Sequence, residues 1–227
     1  MRRHLQFAAV LLLTAAQAHA QIHAPQITLH KKQTEDLSWL WRYTKPEPKG
    51  DGNALIWDTR FKSLLQQHLT APQTFWGRGK SLPDTALEFL GHPRSVVAQD
   101  NRYIVATGCV QEFCPNRGLL WVDLGTSRPL IVFAATDWTT ENKATDQAGS
   151  TYTLWVFSNR ALDPIHLPKP LARSIAPWIA EPISDGTVEQ IANVILIDPD
   201  GQPHQVQLAA LDINQNPQQH TDQKAKP

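Results

Sequence analysis

Cysteine is almost absent from this chain. Two occur in 227 residues, Cys109 and Cys114, beside a single methionine. Two cysteines cannot make a disulfide framework, nor by themselves a zinc site, which needs more ligands. Net charge is absent too, with 21 basic residues against 21 acidic ones. No basic stripe runs along the chain, which excludes the electrostatic footprint of a nucleic-acid binder. No apolar run approaches the roughly 20 residues that span a bilayer, so membrane insertion is not expected. Catalytic signatures are missing as well. There is no nucleophile elbow and no H-E-x-x-H. "GRGK" at 77–80 lacks the full spacing of a phosphate loop. Acidic residues fall on many loops, and no spacing singles out a catalytic pair. His23 and His30 have no metal-site spacing. The reading is a non-enzyme with no cofactor and no metal.

What is present begins with an export signal. In "MRRHLQFAAVLLLTAAQAHA", Arg2 and Arg3 precede a short apolar run, and Ala18-His19-Ala20 has the small-x-small pattern of a cleavage site. Residues 1–20 read as a signal peptide, and the mature chain starts at Gln21. Its loss removes two basic residues, leaving a net charge of about −2. The protein is expected to be periplasmic or secreted. A close cysteine pair in such an oxidising space is a disulfide. Apolar residues make up 41% and charged ones 19%, enough apolar material to bury a core.

Along the chain, residues 21–53 read as an N-terminal segment and linker, ending in the breaker-rich "KPEPKGDGN". Ala54, Trp57, Phe61, Leu64, Leu65 and His68 recur at helical spacing and predict one amphipathic helix over 54–69. "PQTFWGRGKSLPD" then reads as a loop. From residue 95 the period becomes two. "SVVA", "RYIVATG", "GLLWVDLG", "PLIVFAAT" and "TYTLWVFS" read as consecutive strands, and their short connections favour antiparallel pairing. "LIVF" at 130–133 is apolar on both faces, so both faces need cover. The helix at 54–69 supplies one. The N-terminal aromatics, the C-terminal region or a second subunit supplies the other. "LPKPLARSIAPWIAEP" holds a short helix limited by Pro177. Residues 181–213 read as a C-terminal hairpin extension turning at Asp198-Pro199-Asp200-Gly201. Residues 214–227 are polar and read as a disordered tail. Trp39 and Trp41, or Trp121 and Trp155, invite a carbohydrate-binding reading if each pair shares a face. Core packing is the simpler account of tryptophan at these positions.

Both cysteines lie in "GCVQEFCPNRG", residues 108–118, between two predicted strands joined by about ten residues. Hairpin loops of two to five residues are commoner. A disulfide across the neck lowers the entropy lost when such a loop is ordered on binding. It is either a stability clip or the brace of a presented tip carrying Val110, Gln111, Glu112 and Phe113. A redox site is disfavoured, because thiol–disulfide enzymes use C-x-x-C at a helix start.

A small residue followed by C-x-x-x-x-C between two strands resembles the Ivy family, periplasmic inhibitors of vertebrate lysozyme. "GHPRSVVAQDNRYIVATGC" before the loop fits the same layout. So do the Phe61-Lys62 pair and the strands "GLLWVDLG" and "PLIVFAAT", over about residues 54–158. The resemblance implies an α+β fold over 54–180, a central antiparallel sheet with helices on one side. It also implies a tendency to homodimerise, and a protein partner among lysozyme-like or other cell-wall-active enzymes. The family's loop reads C-K-P-H-D-C, and its histidine meets the enzyme's catalytic carboxylates. Here Glu112 falls at the histidine position and Phe113 at the aspartate position. A carboxylate pushed against carboxylates at about 4 Å is opposed by about 4 kcal/mol at an effective dielectric near 20. The expectation is therefore an exported Ivy-like binding protein that is not an efficient lysozyme inhibitor. The alternative is an envelope structural protein whose disulfide is only a clip.

The signal-peptide reading predicts that protein recovered from the periplasm has the intact mass of a chain starting at Gln21. A retained Met1 would overturn both the compartment and the redox argument.

Overall fold

The computed structural model describes residues 35–44, 52–72, 75–76, 79–138, 151–183, 186 and 188–214. The predicted signal peptide, residues 45–51 of the predicted linker, His23, His30 and residues 215–227 of the predicted tail lie outside them. The described residues belong to one compact unit, and their centre is a seven-stranded sheet in sequential order. The strands are β1 (His92–Gln99), β2 (Tyr103–Val110), β3 (Phe113–Asp123), β4 (Leu130–Trp138), β5 (Thr151–Ser158), β6 (Gln190–Ile197) and β7 (Pro203–Val206). Neighbours are antiparallel except β5 and β6, which run parallel. The connection between those two carries helix α3 (Lys169–Ala180), because parallel neighbours need a long crossover. The fold is thus α+β: the strands expected to pair antiparallel, β1 to β5, do so, and the parallel β5–β6 junction with the C-terminal hairpin makes the whole sheet mixed. The predicted C-terminal hairpin forms as β6 and β7, and it extends the sheet itself.

Strict alternation divides the strands between two cores. Ile104, Ala106, Leu120, Val122, Ile131 and Phe133 face one side with α1 (Thr59–His68) and α2 (Leu82–Phe89). Val105, Leu119, Trp121, Val132, Leu154 and Val156 face the other with α3. Helices therefore cover both faces, a correction to the expectation of one side. The reason is already in the strands: a sheet apolar on both faces cannot leave one to water. Pro177 lies inside α3 without ending it.

The helix predicted at 54–69 divides in two. Gly52–Trp57 forms a 3-10 turn and α1 starts after Asp58. The Asp58 carboxylate accepts from the Arg60 backbone N–H, a side-chain cap that restarts the helix and overrides the apolar periodicity. Trp57 is consequently left 79% exposed and Ala54 is exposed, instead of facing the core. Part of the predicted loop at 72–84 enters α2, capped by the Ser81 side chain on Asp84 N–H. The C-terminal end of α2 settles into a notch made by the cross-strand pair Gly108 and Gly118. A Cβ at Gly118 would lie 2.9 Å from Phe89, and one at Gly108 would lie 2.8 Å from Leu90.

Trp57 apart, the tryptophans with described side chains serve packing. Phe75 stacks on Trp155 and Phe157 in the first core, and Trp121 stacks on Tyr103 in the second. Trp121 and Trp155 thus face opposite sides of the sheet. The Arg60 guanidinium lies 4.5 Å from the Trp39 ring centroid.

Asp58 also accepts from the Tyr43 hydroxyl (2.6 Å) and from the Arg60 guanidinium, tying the N-terminal turn Ser38–Thr44 to α1. The Arg60 guanidinium, helped by Tyr43, holds its carboxyl far below the usual carboxylate range. A depressed native value gives stability that is present above the unfolded pKa and is lost as pH falls through the native one. Asp58→Ala should cost about 1–2 kcal/mol at neutral pH. The gap from wild type should narrow below about pH 4 in denaturant melts. A gap independent of pH would mean that the carboxylate charge is not what Tyr43 and Arg60 hold.

Candidate functional site

The two cysteines are joined, with Cα atoms 4.9 Å apart. The connection between β2 and β3 is not the long loop expected. β2 continues to Val110 and β3 starts at Phe113, so only Gln111 and Glu112 form the turn. The strands continue past the cysteines because β3 absorbs the surplus as a bulge. Cys109 pairs with Arg117, then Val110 pairs with Phe113, and Cys114, Pro115 and Asn116 oppose no residue. A bulge is a position that tolerates proline, which has no N–H for the ladder.

The four residues expected at the tip separate by environment. Gln111 and Glu112 are exposed. Val110 is buried in the first core, and Phe113 is half-buried and packs against both cores. Cys109 is wholly buried. The tip is therefore one amide and one carboxylate, closed by the disulfide and seated on apolar side chains.

Glu112 stands at φ 62°, in the left-handed region. Among the described residues the other non-glycine residues with positive φ are Asp100, Asn101 and Asp212, types whose short side chains ease that conformation. Glutamate has no such relief. Its retention there costs about 1 kcal/mol relative to a residue without a Cβ.

Beneath the tip lies a polar cluster that strand patterning did not reveal. Arg117 and Glu189 are an ion pair with Nη2 to Oε2 at 2.8 Å, and their side chains are 1% and 0% exposed. Arg117 also donates to the carbonyls of Ile179 (3.3 Å) and Glu181 (3.0 Å) at the end of α3, and its guanidinium lies against Trp178. Thr136 Oγ1 accepts from Arg117 N–H and sits 3.2 Å from Glu189 Oε1 and 3.3 Å from the Pro115 carbonyl. Asn116 donates to the Thr136 carbonyl and to Asp137 Oδ1 (3.2 Å). Burial pushes the Glu189 carboxyl up, opposed by Arg117, Thr136 and Arg94. In the sequence, Pro115 and Asn116 read as turn residues. The available signal was charge inside apolar strands, the arginine of "NRGLLWVD" and the aspartate of "AATDW".

Among the described residues no group of three or more histidine, cysteine, aspartate or glutamate side chains is placed to hold a metal ion. None of their helices is long and apolar enough to cross a membrane. A separate open groove of about 430 Å³ runs between the turn at Ser38–Thr44 and α1, lined by Glu35, Asp36, Trp39, Arg60, Ser63 and Gln67. Comparison with family models, with curated proteins and with solved structures gives no match.

The small ring closed by the disulfide sets the size of its effect. Replacing both cysteines by alanine should lower stability by about 2 kcal/mol on the chain-entropy estimate. The fold should persist, since only Val110 and Phe113 of the two cores lie within the ring. Denaturant unfolding of the purified variant checks this. Collapse of the whole sheet would show that the disulfide holds more than the tip.

Proposed function

We propose that this is an exported protein-binding module on an Ivy-like plan, which engages its partner through Gln111 and Glu112. The observation that carries this reading is the strained, exposed carboxylate at the closed end of a disulfide-braced hairpin. A turn that only joined two strands would be better served by glycine at residue 112, where positive φ costs nothing. Non-glycine residues held in such conformations concentrate at functional sites. The brace lowers the ordering cost of binding, and a disulfide suits an oxidising compartment.

The charge of the tip points to a partner with a cationic recess, because a glutamate is repelled from a carboxylate-lined cleft. The protein is accordingly a poor inhibitor of lysozyme. Half-buried Phe113 is a support for the tip rather than a contact, so the charge of Glu112 carries the specificity. The competing reading, an envelope protein with a clipped hairpin, rests on the disulfide alone.

The decisive variant is Glu112→Gly. It should be as stable as wild type or about 1 kcal/mol more stable, because the positive-φ strain is relieved. It should lose the partner captured by wild type from envelope extract or host secretions. Equal capture by both proteins would favour the clip. In a cell-wall lysis assay, wild type should inhibit lysozyme weakly or not at all. Glu112→His should gain about 2 kcal/mol, roughly thirtyfold, from a hydrogen bond to a charged group. Strong inhibition by wild type would overturn the charge argument.

A further inference from the structure

The cluster under the tip is costly. Arg117 and Glu189 are removed from water, and the Arg117 Nε and Asn116 Oδ1 atoms are buried without a hydrogen-bond partner among the described residues. A buried ion pair is often matched or exceeded in stability by apolar side chains of similar volume. Unsatisfied buried atoms weaken the case for a stabilising role further. A function other than stability is needed to explain the cluster, and its position supplies one.

The disulfide closes a ring from Cys109 to Cys114 and so sets the internal shape of the tip. It does not set how that ring stands on the sheet. On the β2 side the ring continues directly into the ladder. On the β3 side it is joined through the bulge, where Cys114, Pro115 and Asn116 have no cross-strand partner. An uninterrupted ladder would instead pair Val110 with Asn116 and Gln111 with Pro115, and would bring Phe113 to the centre of the turn. Register with one face buried is normally enforced by apolar pattern. Buried Val110 and half-buried Phe113 favour the bulged register, but Cys114, Pro115 and Asn116 make no cross-strand contacts with β2 that fix it.

The polar cluster does make them. Thr136 Oγ1 lies at hydrogen-bond distance from the Pro115 carbonyl, Asn116 is held to β4, and Arg117 is fixed to Glu189 and to the end of α3. Each residue from 115 to 117 thus has its own polar tether. We infer that Arg117, Glu189 and Thr136 are positioning residues for the tip: the disulfide shapes it and this buried network aims it. The inference rests on reading the tip as the binding element.

The test uses the full mature chain with its disulfide intact. Arg117→Met/Glu189→Leu removes both charges together, so that neither is left buried alone. Its melting temperature should equal or exceed that of wild type. Backbone amides of residues 111–117 should nevertheless exchange with solvent at least about tenfold faster, with shifted Gln111 and Glu112 resonances, while the centres of β3 and β4 keep their protection. Thr136→Val, which keeps the ion pair, should show the same selective effect to a smaller degree. Partner capture should fall in step. Tip amides unchanged in both variants would overturn the inference. So would a large fall in melting temperature with uniform loss of protection, since the network would then be a stability element. A mobile tip with undiminished capture would leave the positioning role standing and sink the reading of Glu112 as the contact.

Discussion

The constraint behind this architecture is a sheet whose middle strands are apolar on both faces. Ile131 and Phe133 point to one side of β4, and Val132 and Ala134 point to the other, all wholly buried. Neither face can be left to water at about 25 cal/mol per Å². Cover on one side comes from α1, α2 and the turns before them. On the other side it comes from α3, whose place between β5 and β6 is what makes those strands parallel. The C-terminal hairpin then follows as the continuation of a sheet already covered.

At the end of the sheet this logic changes. From Gly118 toward the tip, β3 passes from apolar residues to Arg117, Asn116 and Pro115, and β4 passes to Thr136 and Asp137. Paired glycines seat the end of α2 at this border, and beyond them the packing is polar. Polar interiors are directional where apolar ones are not. A border of this kind fixes geometry at some cost in stability, the arrangement expected beneath a surface that must be presented in one orientation. The strained φ of Glu112 belongs to the same pattern.

Much of the fold was legible because periodicity of two is a strong signal. The strands from β1 to β5 follow from "SVVA" through "TYTLWVFS", and the turn at Asp198–Gly201 follows from its residues. The helix ends were less legible. Apolar spacing joined Ala54 and Trp57 to α1, whereas the Asp58 cap separates them, since one side-chain hydrogen bond decides where a helix begins. α2 is only eight residues long, too short for periodicity to declare itself. The candidate site was legible in outline, as two cysteines around Gln111 and Glu112. Its shape was not, because a three-residue bulge leaves no mark in a sequence when its residues also read as a turn.

The sequence by itself determined the alternating strands, the need to cover two faces and the proximity of the only two cysteines. These are local facts, carried by side-chain order over a few positions. Only the tertiary structure decided that α3 rather than another element covers the second face, and that Phe113 is half-buried while Glu112 is exposed. It also brought Arg117 to Glu189, 72 residues away along the chain. Such pairings depend on which strands become neighbours, and that is settled by burial summed over the whole sheet rather than by any stretch within it.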